Sequence, residues 1–250
     1  MSEGLPVKVE ASERPLMGEA LKQVLGLGLW LREQFEGYKV DGRENIPDAG
    51  PFLVIANHML KGESAVLLGL LRNHPLRLVA GEELNWKRSS FNAVLMEILG
   101  TIPVQESLNQ LSPEEQHALL GRVPEKDKAG YQRVVEKTSS SYGDFFRKVL
   151  KSLKAGEVVA IYPEGLGLFE EKDGLRKAYP GAEVIARFYR SQTGKELPVL
   201  PIAITPEETR IGPAFVFPEN IPGGIRPIDW AMQTHLAPLL PVGLQGVYGI

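Results

Sequence analysis

Residues 51–64 read PFLVIANHMLKGES, and this stretch decides the fold class. The run 52–56 (FLVIA) is apolar without a break, the pattern of a strand covered on both faces. It delivers Asn57-His58 into a turn, and residues 65–71 (AVLLGLL) follow, apolar all round as in a buried helix. The same grammar returns at 158–169, VVAIYPEGLGLF, where a second continuous apolar strand is broken by Tyr162-Pro163-Glu164-Gly165. Strands alternating with helices predict an α/β domain, a mixed but mostly parallel sheet flanked by helices. In such sheets, sites gather at the carboxyl ends of strands, which is where His58 and Glu164 fall.

Outward from these two segments the alternation continues. Residues 76–80 (LRLVA) read as a strand, and Phe91, Val94, Leu95, Ile98 and Leu99 follow at helical spacing, with Gly100 as the terminator. Residues 102–104 form a short strand. Ser112-Pro113-Glu114-Glu115 is a helix start, a serine cap with proline at the first position and a capping-box glutamate. Residues 121–141 are polar and turn-rich, which predicts an insertion around 106–142. Residues 144–154 are amphipathic, with Phe145, Phe146, Val149, Leu150 and Leu153 on one face. A helix over 182–190 and strands over 199–205 and 214–217 complete the reading. The N-terminal residues 1–36 form a separate amphipathic helical segment ahead of a domain over 37–250. Within it, residues 20–35 (ALKQVLGLGLWLREQF) suit either a helix packed on its own domain or one lying in a membrane interface.

Composition removes whole classes of function. The chain has 250 residues, 43% hydrophobic and 24% charged, which excludes disorder and coiled coil. It contains no cysteine, so a disulfide framework, a thiolate metal cluster and a cysteine nucleophile are all excluded. The net charge of −3 argues against nucleic-acid binding. No stretch is long and apolar enough for a spanning helix, and Glu3, Glu10 and Glu13 are foreign to a secretory signal. The basic surplus lies over 122–154, nine Lys or Arg against four Asp or Glu; it reads as a solvated face or as a contact for anionic groups. No metal site is expected. His74, His117 and His235 carry no partner pattern and read as surface or satisfied residues, and Trp86 and Trp230 as packing residues.

The chemistry-bearing residues are His58, Glu63 and Glu164. A histidine just past a buried strand can act as a general base, because its pKa lies near neutrality. Glu63, one helical turn onward, could fix the tautomer and stabilise the imidazolium. On spacing alone a His–Glu pair is a weak signal, and a loop histidine followed by a helix-starting glutamate is the commoner reading.

Taken in order, these segments resemble the glycerolipid acyltransferases, the lysophosphatidate-acyltransferase-like superfamily. Asn57, His58 and Glu63 fall on its N-H-x-x-x-x-D motif. Residues 79–84 resemble the next stretch, with Gly81 where a lysine is common. Residues 100–104 match the second motif, G-x-I-x-V, Tyr162-Pro163-Glu164-Gly165 the third, F-P-E-G, and Val199-Leu200-Pro201-Ile202 the fourth. The likeness is colinear over about 38–205. It implies a glycerol-3-phosphate-acyltransferase-like fold and transfer of a fatty acyl group from acyl-CoA or acyl-ACP to the hydroxyl of a lipid. His58 would be the base and Glu63 its carboxylate. Asn57, Tyr162, Pro163, Glu164 and Gly165 would bind substrate, and no cofactor would be needed beyond the acyl thioester donor. The implied location is cytoplasmic, peripheral at the inner face of the membrane.

Three departures bear on activity and acceptor. Glu63 stands in place of the motif aspartate; this motivates an alternative, a weakened or inactive relative that binds lipid or acyl thioester. Glu106 occupies the place of a phosphate-binding arginine, and Leu166-Gly167-Leu168 replaces the T-R-S that often follows F-P-E-G. An unpaired phosphate dianion is costly in a partly dry site. The substitutions therefore disfavour glycerol 3-phosphate and lysophosphatidate as acceptors and favour a neutral or bulkier lipid alcohol, with Leu166 and Leu168 lining its pocket.

Overall fold

The computed structural model describes residues 14–58, 62–81, 99–104, 141–165 and 174–249. A seven-stranded sheet forms the centre, built from β1 (Lys39–Asp41), β2 (Leu53–Ala56), β3 (Leu76–Gly81), β4 (Ile102–Val104), β5 (Val158–Ile161), β6 (Val199–Ile204) and β7 (Glu208–Ile211). Their order is β1-β7-β6-β2-β5-β3-β4. Every neighbouring pair is parallel except β6–β7, so the sheet is mixed and mostly parallel.

Alternation along the strands divides the core into two layers. Leu53, Ile55, Val159, Val199 and Ala203 face α3 (Ser141–Lys154) and α4 (Gly181–Thr193), where Phe145, Val149, Leu153, Ile185 and Tyr189 are buried. Val54, Ala56, Leu76, Leu78, Val158, Ala160, Leu200 and Ile202 face α1 (Arg14–Phe35) and α2 (Glu63–Leu70). β2 and β5 are covered on both sides, the physical reason their sequences are unbroken apolar runs. A short helix α5 (Pro227–Ala231), continuing through a π-turn over Met232–Leu236, closes the first layer with buried Ile228, Met232 and Leu236.

α1 is apolar on two opposite faces. Leu21, Leu25 and Leu29 lie on the core. The crossing with α2 is close, because a Cβ on Gly69 would come 2.7 Å from the Leu25 carbonyl oxygen. The opposite face presents Val24, Leu27, Trp30, Leu31 and Phe35 outward, Phe35 being 79% exposed. The packing reading of residues 20–35 therefore holds for the inward face, while the outward face is apolar and exposed. Among the described residues no helix is long and apolar enough to cross a membrane.

The strand expected over 214–217 is a correction. Phe215 makes only an isolated antiparallel bridge with Val199, because Pro213 and Pro218 bracket the segment and interrupt any ladder. The seventh place in the sheet goes to β7, whose short, half-polar ETRI pattern gives little sequence signal. β1 (KVD) is equally inconspicuous. The helical pattern over 91–98, Glu106, the Ser112 helix start, His117, Trp86, Leu166 and Leu168 lie outside the described residues, as does most of the expected insertion around 106–142.

Candidate active site

The connections create a crevice at the centre of the sheet. β2 leads through α2 to β3 on one side, whereas β5 leads through α4 to β6 on the other, although β2 and β5 are neighbours. The chain departs in opposite directions from two adjacent strand ends, the arrangement in which open α/β sheets hold their ligands. β2 delivers Asn57-His58 there, and β5 delivers Tyr162-Pro163-Glu164-Gly165 beside them.

His58 is clasped from three directions. Its ring Nδ1 lies 2.6 Å from Glu63 Oε2. Its backbone N–H donates to Glu164 Oε1 at 2.9 Å. Its ring stacks on Tyr162, with centroids 4.2 Å apart and planes within 16°. The side chain stays 27% exposed, and among the described residues no hydrogen bond engages Nε2. With the buried carboxylate accepting at Nδ1, the tautomer that suits it carries its proton on Nδ1 and leaves the Nε2 lone pair open.

Glu63 opens α2, just after Gly62, whose left-handed backbone (φ 106°) turns the chain into the helix. Its carboxylate is buried, and Asn57 Nδ2 approaches its second oxygen at 3.4 Å. The longer side chain does reach the histidine. Asn57 is itself fixed like an extra ladder residue: Ile204 N–H donates to Asn57 Oδ1 at 2.7 Å, and Asn57 Nδ2 donates to Ile204 O at 2.8 Å.

Glu164 is buried with both carboxylate oxygens committed to backbone: Oε1 accepts from His58 N–H and Oε2 from Arg176 N–H at 2.8 Å. Burial raises its pKa, against the opposing pull of those two donors. It thus ties the β2 turn, the β5 turn and the segment after it into one frame. Pro163 is buried beside it, and Gly165 N–H closes a tight turn onto Tyr162 O at 3.0 Å. The Tyr162 hydroxyl bonds Ser64 Oγ at 2.9 Å. Burial lifts the phenol pKa above its ordinary range, so it stays neutral at any working pH.

All seven expected residues, Asn57, His58, Glu63, Tyr162, Pro163, Glu164 and Gly165, therefore meet at one crevice. Sequence reasoning missed Ser64, Arg176 and the Ile204 backbone. Ser64 adjoins the motif glutamate but has no distinguishing pattern, and a backbone partner leaves no residue-type signal. Among the described residues no cluster of three or more His, Asp or Glu is placed to hold a metal. His235 departs from expectation: it stacks on Phe215 at 3.9 Å, lies edge-on to Trp230, and its buried Nε2 has no hydrogen-bond partner in the described structure.

A mostly parallel α/β sheet carrying a histidine–carboxylate pair at its central strand ends defines a class, the α/β enzymes that work from a crevice above the sheet. The chain belongs to the acyltransferase family, whose profile matches residues 37–205, so the protein is an acyltransferase. The match leaves α1 before it and β7 and the C-terminal helices after it. Among solved structures, the chain is similar to the 1-acyl-sn-glycerophosphate (LPA) acyltransferase PlsC from Thermotoga maritima, at 18% identity and a TM-score of 0.49, over 87% of this chain and 76% of that one. No curated protein matches the chain.

Proposed function

We propose that the protein transfers a fatty acyl group from an acyl thioester, acyl-CoA or acyl-ACP, to a hydroxyl of a lipid at a membrane surface, with His58 as general base. The observation that carries this reading is the 2.6 Å contact between His58 Nδ1 and buried Glu63, with no hydrogen bond at Nε2 among the described residues. In the proposed step Nε2 takes the acceptor hydroxyl proton as the oxygen attacks the thioester carbonyl. Glu63 stabilises the imidazolium so formed. The tetrahedral intermediate then expels the thiolate, which takes the proton from His58, and the ester leaves. No covalent enzyme intermediate is required, which suits a chain without cysteine. The His58 N–H is committed to Glu164, so other donors must meet the oxyanion. Asn57, Pro163, Glu164 and Gly165 serve substrate by fixing the crevice walls.

The alternative of an inactive relative was motivated by Glu63 in place of aspartate. That motive weakens once the glutamate is seen within hydrogen-bond distance of the imidazole. The lipid surface is supported by α1, whose outward face is apolar although its inward face already packs on the core. A helix of 22 residues, about 33 Å long, with a Trp-, Leu- and Phe-bearing outer face suits the headgroup boundary. The missing basic residues noted in the sequence favour a neutral lipid alcohol as acceptor.

The test is an acyl-transfer assay with labelled palmitoyl-CoA and palmitoyl-ACP against mixed micelles of 1-oleoylglycerol, long-chain alcohols and lysophosphatidate. Wild type should form ester with a neutral acceptor, and His58→Ala should lose about 1,000-fold or more. Equal turnover by His58→Ala would remove the base assignment.

A further inference from the structure

The pairing of His58 with Glu63 fixes one ring atom but does not fix the ring plane. An imidazole held by a single hydrogen bond at Nδ1 can still rock about that bond, carrying Nε2 away from its target. The plane is set instead by Tyr162, parallel to within 16° and 4.2 Å away. Tyr162 is not free to rock either, because its hydroxyl is tied to Ser64 Oγ at 2.9 Å. Ser64 directly follows Glu63 in the first turn of α2. The contacts therefore close a circuit from His58 to Glu63, along one peptide bond to Ser64, across to Tyr162 and back to His58 by stacking.

We propose that Tyr162 is a positioning residue for His58, its ring setting the imidazole plane and its bond to Ser64 referring that plane to the same helix turn that carries Glu63. This rests on His58 being the general base. Both restraints on the histidine then share one foundation, so a shift of α2 moves hydrogen bond and ring together. Such a device suits a glutamate, which has one more rotatable bond than aspartate and holds an imidazole less tightly by itself. A phenylalanine, the residue of the third motif that Tyr162 replaces, would supply the ring and no anchor.

The proposal separates ring from hydroxyl. Tyr162→Phe and Ser64→Ala each remove only the anchor; each should lower kcat by about three- to fivefold at unchanged KM for palmitoyl-CoA, and the double variant should fall no further, since one bond is lost in all three. Ser64→Thr keeps a hydroxyl and should restore the rate. Tyr162→Leu removes the ring as well and should cost about 10- to 100-fold in kcat, the scale expected for a misplaced catalytic group. A second measurement needs no turnover. In full-length chain with labelled histidine, the His58 signals are identified by their loss in His58→Ala. Its Cε1–H should show a ring-current shift in wild type and Tyr162→Phe that disappears in Tyr162→Leu. The Nδ1–H resonance should be sharp in wild type and Ser64→Thr and broadened in Ser64→Ala. If the shift is absent in wild type or survives in Tyr162→Leu, or if the Tyr162→Phe and Ser64→Ala losses add, the proposal is wrong. An active His58→Ala would instead overturn the base assignment, while the resonance measurement would still decide whether Tyr162 orients the ring.

Discussion

Replacing Glu63 by glutamine removes the charge at nearly constant volume, and it also turns an amide nitrogen toward Asn57 Nδ2, which approaches the second carboxylate oxygen at 3.4 Å. The amide oxygen can still accept from His58 Nδ1, and the volume is the same, so the ring orientation should survive. What is lost is the attraction between a carboxylate and the imidazolium that forms as the acceptor proton is taken. With oxygen and nitrogen 2.6 Å apart, the charge centres lie about 4 Å from each other, worth about 4 kcal/mol at the effective dielectric of a protein site. The histidine is 27% exposed, so water screens part of this; about half, roughly 2 kcal/mol, is a fair remainder. That corresponds to about a 30-fold loss of kcat. Aspartate is the more pointed companion. The family motif alone suggests that Glu63→Asp restores the usual residue and keeps or raises activity. The geometry reverses this: shortening the side chain by about 1.5 Å would open a gap where contact is now close, since the helix start is held by its packing. Glu63→Asp should therefore lose at least about tenfold. Initial rates with palmitoyl-CoA and 1-oleoylglycerol would measure both. A Glu63→Gln enzyme within about threefold of wild type would refute the electrostatic role of the carboxylate.

Three further outcomes follow from the same structure. Val24→Ser, Leu27→Ser, Trp30→Ser and Phe35→Ser together leave the inward face of α1 intact and should sharply reduce co-sedimentation with lipid vesicles at unchanged melting temperature; undiminished co-sedimentation would remove that face as the lipid contact. At the α1–α2 crossing, Gly69→Val must push against the Leu25 carbonyl and should destabilise by about 1–3 kcal/mol, whereas Gly28→Ala, whose Cβ meets nothing within 4 Å, should stabilise by about 0.8 kcal/mol in denaturant unfolding. Burial lowers the pKa of His235 in the folded chain, so the unfolded chain takes up the proton first. Its contribution is whole above about pH 6.5 and is lost as pH falls toward the folded value; His235→Phe should flatten the decline of melting temperature below pH 6.5, leaving the slope due to His74, which burial also holds low.

The sequence by itself determined the buried framework. Residues 52–56 and 158–161 had to be covered on both faces, because unbroken apolar runs cannot face water, and their alternation with helical patterns places helices on both sides of a mostly parallel sheet. It also placed His58 and Glu164 at strand ends, since the strand pattern stops where the polar residues begin. It did not reveal β1 and β7, three and four residues long and half polar, whose place depends on β7 pairing with β6 and β1 pairing with β7 rather than on their own pattern. Nor could it choose between packing and exposure for residues 20–35, because a helix apolar on two faces satisfies both descriptions until α2 is docked on one of them. At the site, only the tertiary structure decided that Glu63 reaches His58, that Glu164 holds two backbone amides, and that Tyr162 and Ser64 join across 98 residues. Distance and direction between separate segments are set by how strands β2 and β5 lie side by side. Local sequence carries no record of that geometry.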